Sequence, residues 1–66
     1  MEYQIEFEQE EDGRWIAEIS SLPGVMAYGV SRTEAESRVE AMALRVIADR
    51  IERENSTMSQ VHFAIA

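Results

Sequence analysis

Apolar and polar positions alternate along residues 2–9 and again along residues 14–20, which is the pattern of two half-buried strands. The apolar positions are Tyr3, Ile5 and Phe7 in the first run and Trp15, Ala17 and Ile19 in the return run. Between the runs, Glu10-Glu11-Asp12-Gly13 is a polar turn in which Asp-Gly is a hairpin signal. The pattern predicts a hairpin of two strands, with Gly13 as a structural residue.

A second turn follows at Pro23-Gly24. Proline presets φ for the second position of a type II turn, and glycine accepts the positive φ that the next position requires. Residues 25–28 are then typical of a short apolar strand, which Gly29 ends. This stretch completes a predicted sheet over residues 2–29, in which Pro23, Gly24 and Gly29 are structural.

A helix is predicted from about residue 32 to residue 54. Ser31 has the chemistry of an N-cap, and Glu34 three residues later completes a Ser-x-x-Glu capping box. One apolar stripe at helical spacing consists of Ala35, Val39, Met42, Ala43 and Val46. A second apolar ridge consists of Ala41, Leu44, Ala48 and Ile51. One small sheet needs less apolar surface than this, so either the last segment or another subunit covers the second ridge.

The last segment alternates again at Val61, Phe63 and Ile65, which predicts a fourth strand at about residues 58–65. The elements together predict one α+β domain over residues 1–66. Its order is β-β-β-α-β, with a small antiparallel sheet and one long helix packed on one face.

The chain has 66 residues and no cysteine, so disulfides cannot stabilise it. Domains of this size commonly need a further source of stability, and we expect a homo-oligomer. The net charge is −7, and its acidic excess lies in residues 1–40. Such a surface repels phosphates and attracts basic proteins, although solubility alone also explains it. No apolar run is long enough to span a membrane and the first residues are acidic, so we expect a cytoplasmic protein without membrane contact.

Few residues suggest a catalytic or metal-binding role. His62 is the only histidine and has no partners marked by spacing, so a structural or surface role is expected. Glu6, Glu8 and Glu18 could face each other across the first hairpin, as paired acids do in metal or acid–base sites. Glutamates on the solvent face of a strand are far more common. We therefore expect no enzyme, no catalytic or metal-binding residue and no cofactor.

Ile16 does not fit the alternation, because it places an apolar side chain beside these glutamates. The centres of protein interfaces are depleted in charge and rimmed by polar groups. The sequence therefore predicts a partner-binding patch formed by Glu6, Glu8, Ile16 and Glu18.

The chain also resembles the HicB-like antitoxin domain over roughly residues 2–54. The resemblance rests on order and spacing in Asp12-Gly13-x-Trp15-x-Ala17, Leu22-Pro23-Gly24, Gly29-x-Ser31-x-x-Glu34-Ala35 and Glu40-Ala41. It implies a truncated ribonuclease-H-like fold without the nuclease active site. It also implies a partner, the toxin HicA, which is a small basic RNA-cleaving protein. The antitoxin would cover the RNA surface and the catalytic histidine of that toxin.

Many members of that family carry a C-terminal DNA-binding domain, which this sequence lacks, so we expect no direct DNA binding. Two other interpretations remain open. One is a stand-alone homo-oligomeric scaffold or regulatory protein with a different partner, in which Leu44, Ala48 and Ile51 form the subunit contact. The other is a divalent-metal nuclease remnant that uses the three glutamates of the first hairpin.

Overall fold

The computed structural model describes residues 1–66 and shows an α+β chain of β-β-β-α-β order. The strands are β1 (Glu2–Gln9), β2 (Trp15–Glu18), β3 (Met26–Gly29) and β4 (His62–Ile65). The helix α1 (Arg32–Glu54) has the predicted bounds. The predicted element order is confirmed. No helix is both long and apolar enough to cross a membrane.

The four strands form one sheet in the order β3-β2-β1-β4. The prediction of an antiparallel sheet is correct for β1, β2 and β3. It is wrong for β4, which lies parallel to β1 and makes the sheet mixed. The reason is the helix between β3 and β4, because such a crossover returns the chain in the direction of the strand it left.

The turn after β2 has the predicted type. Gly24 has φ +82°, and the N–H of Val25 donates to the carbonyl of Leu22 at 3.0 Å. Pro23 and Gly24 therefore occupy the central positions of a type II turn. In the β1–β2 turn, Gly13 also has positive φ, and its N–H donates to the carbonyl of Glu10 at 2.9 Å.

The helix begins with a modified capping box. The hydroxyl of Ser31 accepts from the N–H of Glu34 at 3.1 Å, as predicted. The carboxylate of Glu34 accepts from the N–H of Val30 at 2.9 Å, one residue before the N-cap. At the other end, Asn55 adopts φ 52° and its N–H donates to the carbonyl of Ile51.

The core lies between the helix and one face of the sheet. The helix contributes a single row at i,i+4 spacing: Ala35, Val39, Ala43 and Ile47. The sheet and its turns contribute Tyr3, Ile5, Ala17, Ile19, Leu22, Val25 and Ala27. Of the predicted stripe, Met42 and Val46 are only half-buried, while Ile47 is buried instead.

The second helical ridge is largely uncovered. Leu44 is 48% exposed and Ala48 is also exposed, whereas Ile51 packs partly against the core. The last segment therefore covers only one end of this ridge, because β4 pairs with β1 at the edge of the sheet.

Candidate protein-binding face of the sheet

One face of the sheet carries the helix and the other faces solvent; we call the second the open face. Side chains alternate between faces along each strand, so register decides which residues share it. The open face consists of Glu2, Gln4, Glu6, Glu8, Ile16, Glu18, Met26, Tyr28, His62 and Ala64. The predicted patch lies entirely on this face.

The strand register brings the members of the predicted patch together. Glu6 lies directly opposite Glu18, and Glu8 lies opposite Ile16 across β1 and β2. On its other side, Ile16 lies opposite Tyr28 of β3. Ile16 is thus surrounded by carboxylates toward β1 and by apolar or aromatic side chains toward β3. Their role in binding a partner stays a prediction.

The carboxylates of the patch have no cationic partners. The ion pairs of the protein are Arg14–Asp12, Arg38–Glu34 and Arg53–Asp49, and none involves the patch. Like charges placed directly opposite each other destabilise an antiparallel pair by up to about 1 kcal/mol. The Glu6–Glu18 pair therefore opposes folding of the isolated chain.

Arg14, which precedes β2, has contacts of its own outside the patch carboxylates. The guanidinium of Arg14 donates to Asp12 at 3.1 Å and lies 5.1 Å from the ring centroid of Tyr28. This arrangement places a cation at the end of the hairpin and leaves the glutamates on β1 and β2 unneutralised. The open face presents negative charge together with an apolar centre.

The structure adds two residues that the sequence did not reveal. Met26 and Tyr28 are each 42% exposed and extend the apolar centre around Ile16 onto β3. Residues 25–28 form a continuous apolar run, so no polar alternation marked these two as outward-facing. Only the pairing of β3 with β2 assigns them to the open face.

The depression over the patch is small. It has a volume of about 190 Å³ and is lined by Glu6, Phe7, Glu8, Ile16, Glu18 and Met26. Small-molecule sites usually enclose about 300–1,000 Å³. The shape therefore suits a macromolecular surface better than a small ligand.

The geometry gives no support to the metal-nuclease interpretation. No three carboxylate or histidine side chains of the protein converge on a point that could hold a metal ion. His62 lies at the β4 end of the sheet, opposite Glu2, and is exposed. Glu6 and Glu18 form a facing pair without a third ligand.

The fold and this face together define an α+β domain with an acidic, centrally apolar sheet surface. Comparison with protein-family models, with curated proteins and with solved structures finds no match for the chain.

Proposed function

We propose that the chain is a protein-binding module that holds a small basic protein on the open face of its sheet. The main support for this proposal is the position of Ile16. Its apolar side chain lies among the carboxylates of Glu6, Glu8 and Glu18, which form no ion pairs within the chain. The sequence resemblance to HicB-like antitoxins supports a partner of the HicA type, a toxin that cleaves RNA, whose RNA surface the open face would cover.

The charge of the patch supports this partner. A protein that binds RNA does so largely through Lys and Arg contacts to phosphates, so its RNA surface is positive. Carboxylates that lack partners within their own chain are free to meet such a surface. Attraction between the two surfaces speeds their encounter, and the effect weakens as salt rises.

The apolar centre supports tight binding after encounter. Affinity in protein interfaces is concentrated in a few desolvated residues near the centre of the patch. Ile16, Met26 and Tyr28 form that centre here, and the glutamates form its rim. We expect Ile16→Ala to weaken binding about tenfold or more, mainly through faster dissociation.

The test is capture of partners from the native host with the tagged full-length chain, followed by mass spectrometry. Three forms are compared: wild type, a face variant and a control variant. The face variant carries Glu6→Gln, Glu8→Gln and Glu18→Gln. The control carries Glu11→Gln, Glu52→Gln and Glu54→Gln, which change the net charge equally at exposed positions outside the patch.

The expected result is a small basic protein bound near one-to-one by the wild type and the control, but only weakly by the face variant. Expression of that protein alone should arrest growth, and co-expression of this chain should restore it. Equal binding by both variants would refute the placement of the site. A partner that is acidic, or whose expression leaves growth unchanged, would refute the antitoxin function.

A second candidate is the homo-oligomeric scaffold, which the exposure of Leu44 favours. In that case the capture experiment recovers only further copies of the chain. Growth arrest by a co-eluting basic protein would count against it.

A further inference from the structure

The two edges of the sheet are protected unequally. At the β3 edge, the carbonyl of Tyr28 accepts from the guanidinium of Arg38 at 3.0 Å. The N–H of Val30 donates to Glu34 at 2.9 Å. Charged side chains of the helix thus occupy backbone groups at this edge, which is one way that proteins prevent a further strand from pairing.

The β4 edge has no such protection. The N–H of His62 donates to Met1 at 2.9 Å and that of Ala66 to Ile5 at 3.0 Å, so these residues face β1. Since the direction of backbone groups alternates along a strand, the N–H and carbonyl groups of Phe63 and Ile65 point away from the sheet. No side chain of the protein donates to them or accepts from them.

The side chains of Phe63 and Ile65 lie next to this edge, on the face of the sheet that carries the helix. Ile65 is 52% exposed and Phe63 is half-buried against Tyr3, with ring centroids 6.2 Å apart. Neither side chain is covered fully by the helix. The edge therefore offers both free backbone groups and apolar surface.

The uncovered helical ridge lies on the flank of the helix that faces away from the β3 edge. Arg38 is on the flank of the helix that reaches β3. Arg32, the first residue of the helix, places its guanidinium 4.3 Å from the ring centroid of Phe7 on β1. At 100° per residue, Leu44 and Arg38 lie on opposite flanks of the buried row. Leu44 therefore lies on the flank that faces away from β3.

The distribution of charge favours a second copy of this chain as the partner at the β4 edge. The protein carries a net charge of −7, so two copies repel each other over most of their surfaces. Residues 55–66 contain no Asp, Glu, Lys or Arg. The side chains of β4 therefore add no like-charge repulsion between two copies that meet along it. Only 12 of 66 residues are buried in the single chain, which leaves a domain of this size in need of further burial.

We propose that β4 is the interface for a second copy of this chain, which pairs with it antiparallel about a two-fold axis. An axis beside Ala64 places Phe63 of each copy opposite Ile65 of the other, so all outward backbone groups of these residues are paired. The small side chain of Ala64 meets its own copy at the axis. Both helices lie on one face of the continuous sheet, and both open faces remain free for partners.

The test compares Ile65→Lys with Val30→Lys in the full chain by sedimentation over a range of concentrations. Both changes place a lysine at an exposed apolar position, since Val30 is 77% exposed, but Val30 lies beside the protected edge. Wild type and Val30→Lys should be dimers. Ile65→Lys should raise the dissociation constant about a hundredfold, because symmetry introduces the change twice and each tenfold step corresponds to about 1.4 kcal/mol.

Amide hydrogen exchange supplies a measurement that needs no variant. In the dimer the amides of Phe63 and Ile65 are protected, and dilution of the wild type should release them while His62 and Ala64 stay protected. A wild type that is monomeric throughout would overturn the proposal. So would a dimer in which the amides of Phe63 and Ile65 exchange freely, or one that Ile65→Lys leaves intact.

Discussion

Gly29 is the position where a single methyl group should disturb this fold most. A Cβ at Gly29 would lie 2.5 Å from the backbone nitrogen of Ala35 and 2.9 Å from the carbonyl oxygen of Ser31. Both neighbours are backbone atoms in the first turn of the helix. Neither can rotate away as a side chain does, so Gly29→Ala must push the start of the helix from the end of β3.

The loss of folding stability in Gly29→Ala can be estimated from these distances. Ordinary contacts of a Cβ begin at 3.4 Å, so the first helical turn must withdraw by about 0.9 Å. Overpacking of this kind costs about 1–3 kcal/mol. Displacing the cap of Ser31 adds about 1 kcal/mol. The sum, about 2–4 kcal/mol, is a large part of the roughly 3–10 kcal/mol that typifies a domain of this length.

The assay is urea and thermal unfolding, followed by the fluorescence of Trp15, which pairs with Gly29 across β2 and β3, and by circular dichroism. The melting temperature should fall by roughly 10–30 °C. Gly24→Ala is the control: its φ of +82° disfavours alanine, but a Cβ there meets nothing within 4 Å. We expect the control to lose only about 1 kcal/mol.

A double-mutant cycle identifies the mechanism. If an alanine at position 29 displaces the helix start, Ser31→Ala should cost less in that background than in the wild type. Equal losses of stability in Gly29→Ala and Gly24→Ala would refute the steric explanation. Strict additivity with Ser31→Ala would refute the proposed displacement of the cap.

Three further substitutions test the electrostatics of the free chain. Glu18→Gln removes one of two facing carboxylates and should stabilise the chain by about 0.2–1 kcal/mol in urea unfolding, less at high salt. Burial and the neighbouring Glu36 raise the pKa of Glu40 above 4.5. Glu40→Gln should therefore stabilise by a few tenths of a kcal/mol at neutral pH, and not below pH 4.5. The backbone N–H and the guanidinium of Arg14 lower the pKa of Asp12 below 3.8. Asp12→Asn should therefore destabilise above pH 3.8, and the loss should vanish as the pH falls through the folded-state pKa.

A control variant and the pH dependence test these three predictions. Glu11→Gln removes the same charge at an exposed turn position outside the helix and the strands and should leave stability nearly unchanged. A Glu18→Gln variant no more stable than this control would mean that the facing carboxylates do not repel each other. Stability differences that stay constant with pH would contradict the assignments for Glu40 and Asp12.

The candidate site was partly predictable because a hairpin is local. Strand alternation and the Asp12-Gly13 turn bring Glu6, Glu8, Ile16 and Glu18 together within a short stretch of chain. Met26 and Tyr28 join them only through the pairing of β3 with β2, and their apolar neighbours in the sequence conceal which way they face.

The secondary-structure elements of this protein and their order follow from local patterns in its sequence. Alternation in β1, the Pro23-Gly24 turn and the Ser31 cap act between residues close along the chain, so their physical chemistry is visible without the fold. The same holds for the extent of the helix, which apolar spacing and capping define.

How these elements pack against one another depends on contacts between distant parts of the chain. The parallel pairing of β4 with β1, the close approach of Gly29 to Ala35 and the protection of the β3 edge by Arg38 join residues from different elements. The direction of a strand after a crossover, and the distance between a helix and a sheet, depend on how surfaces pack. No local pattern of apolar and polar positions encodes that packing.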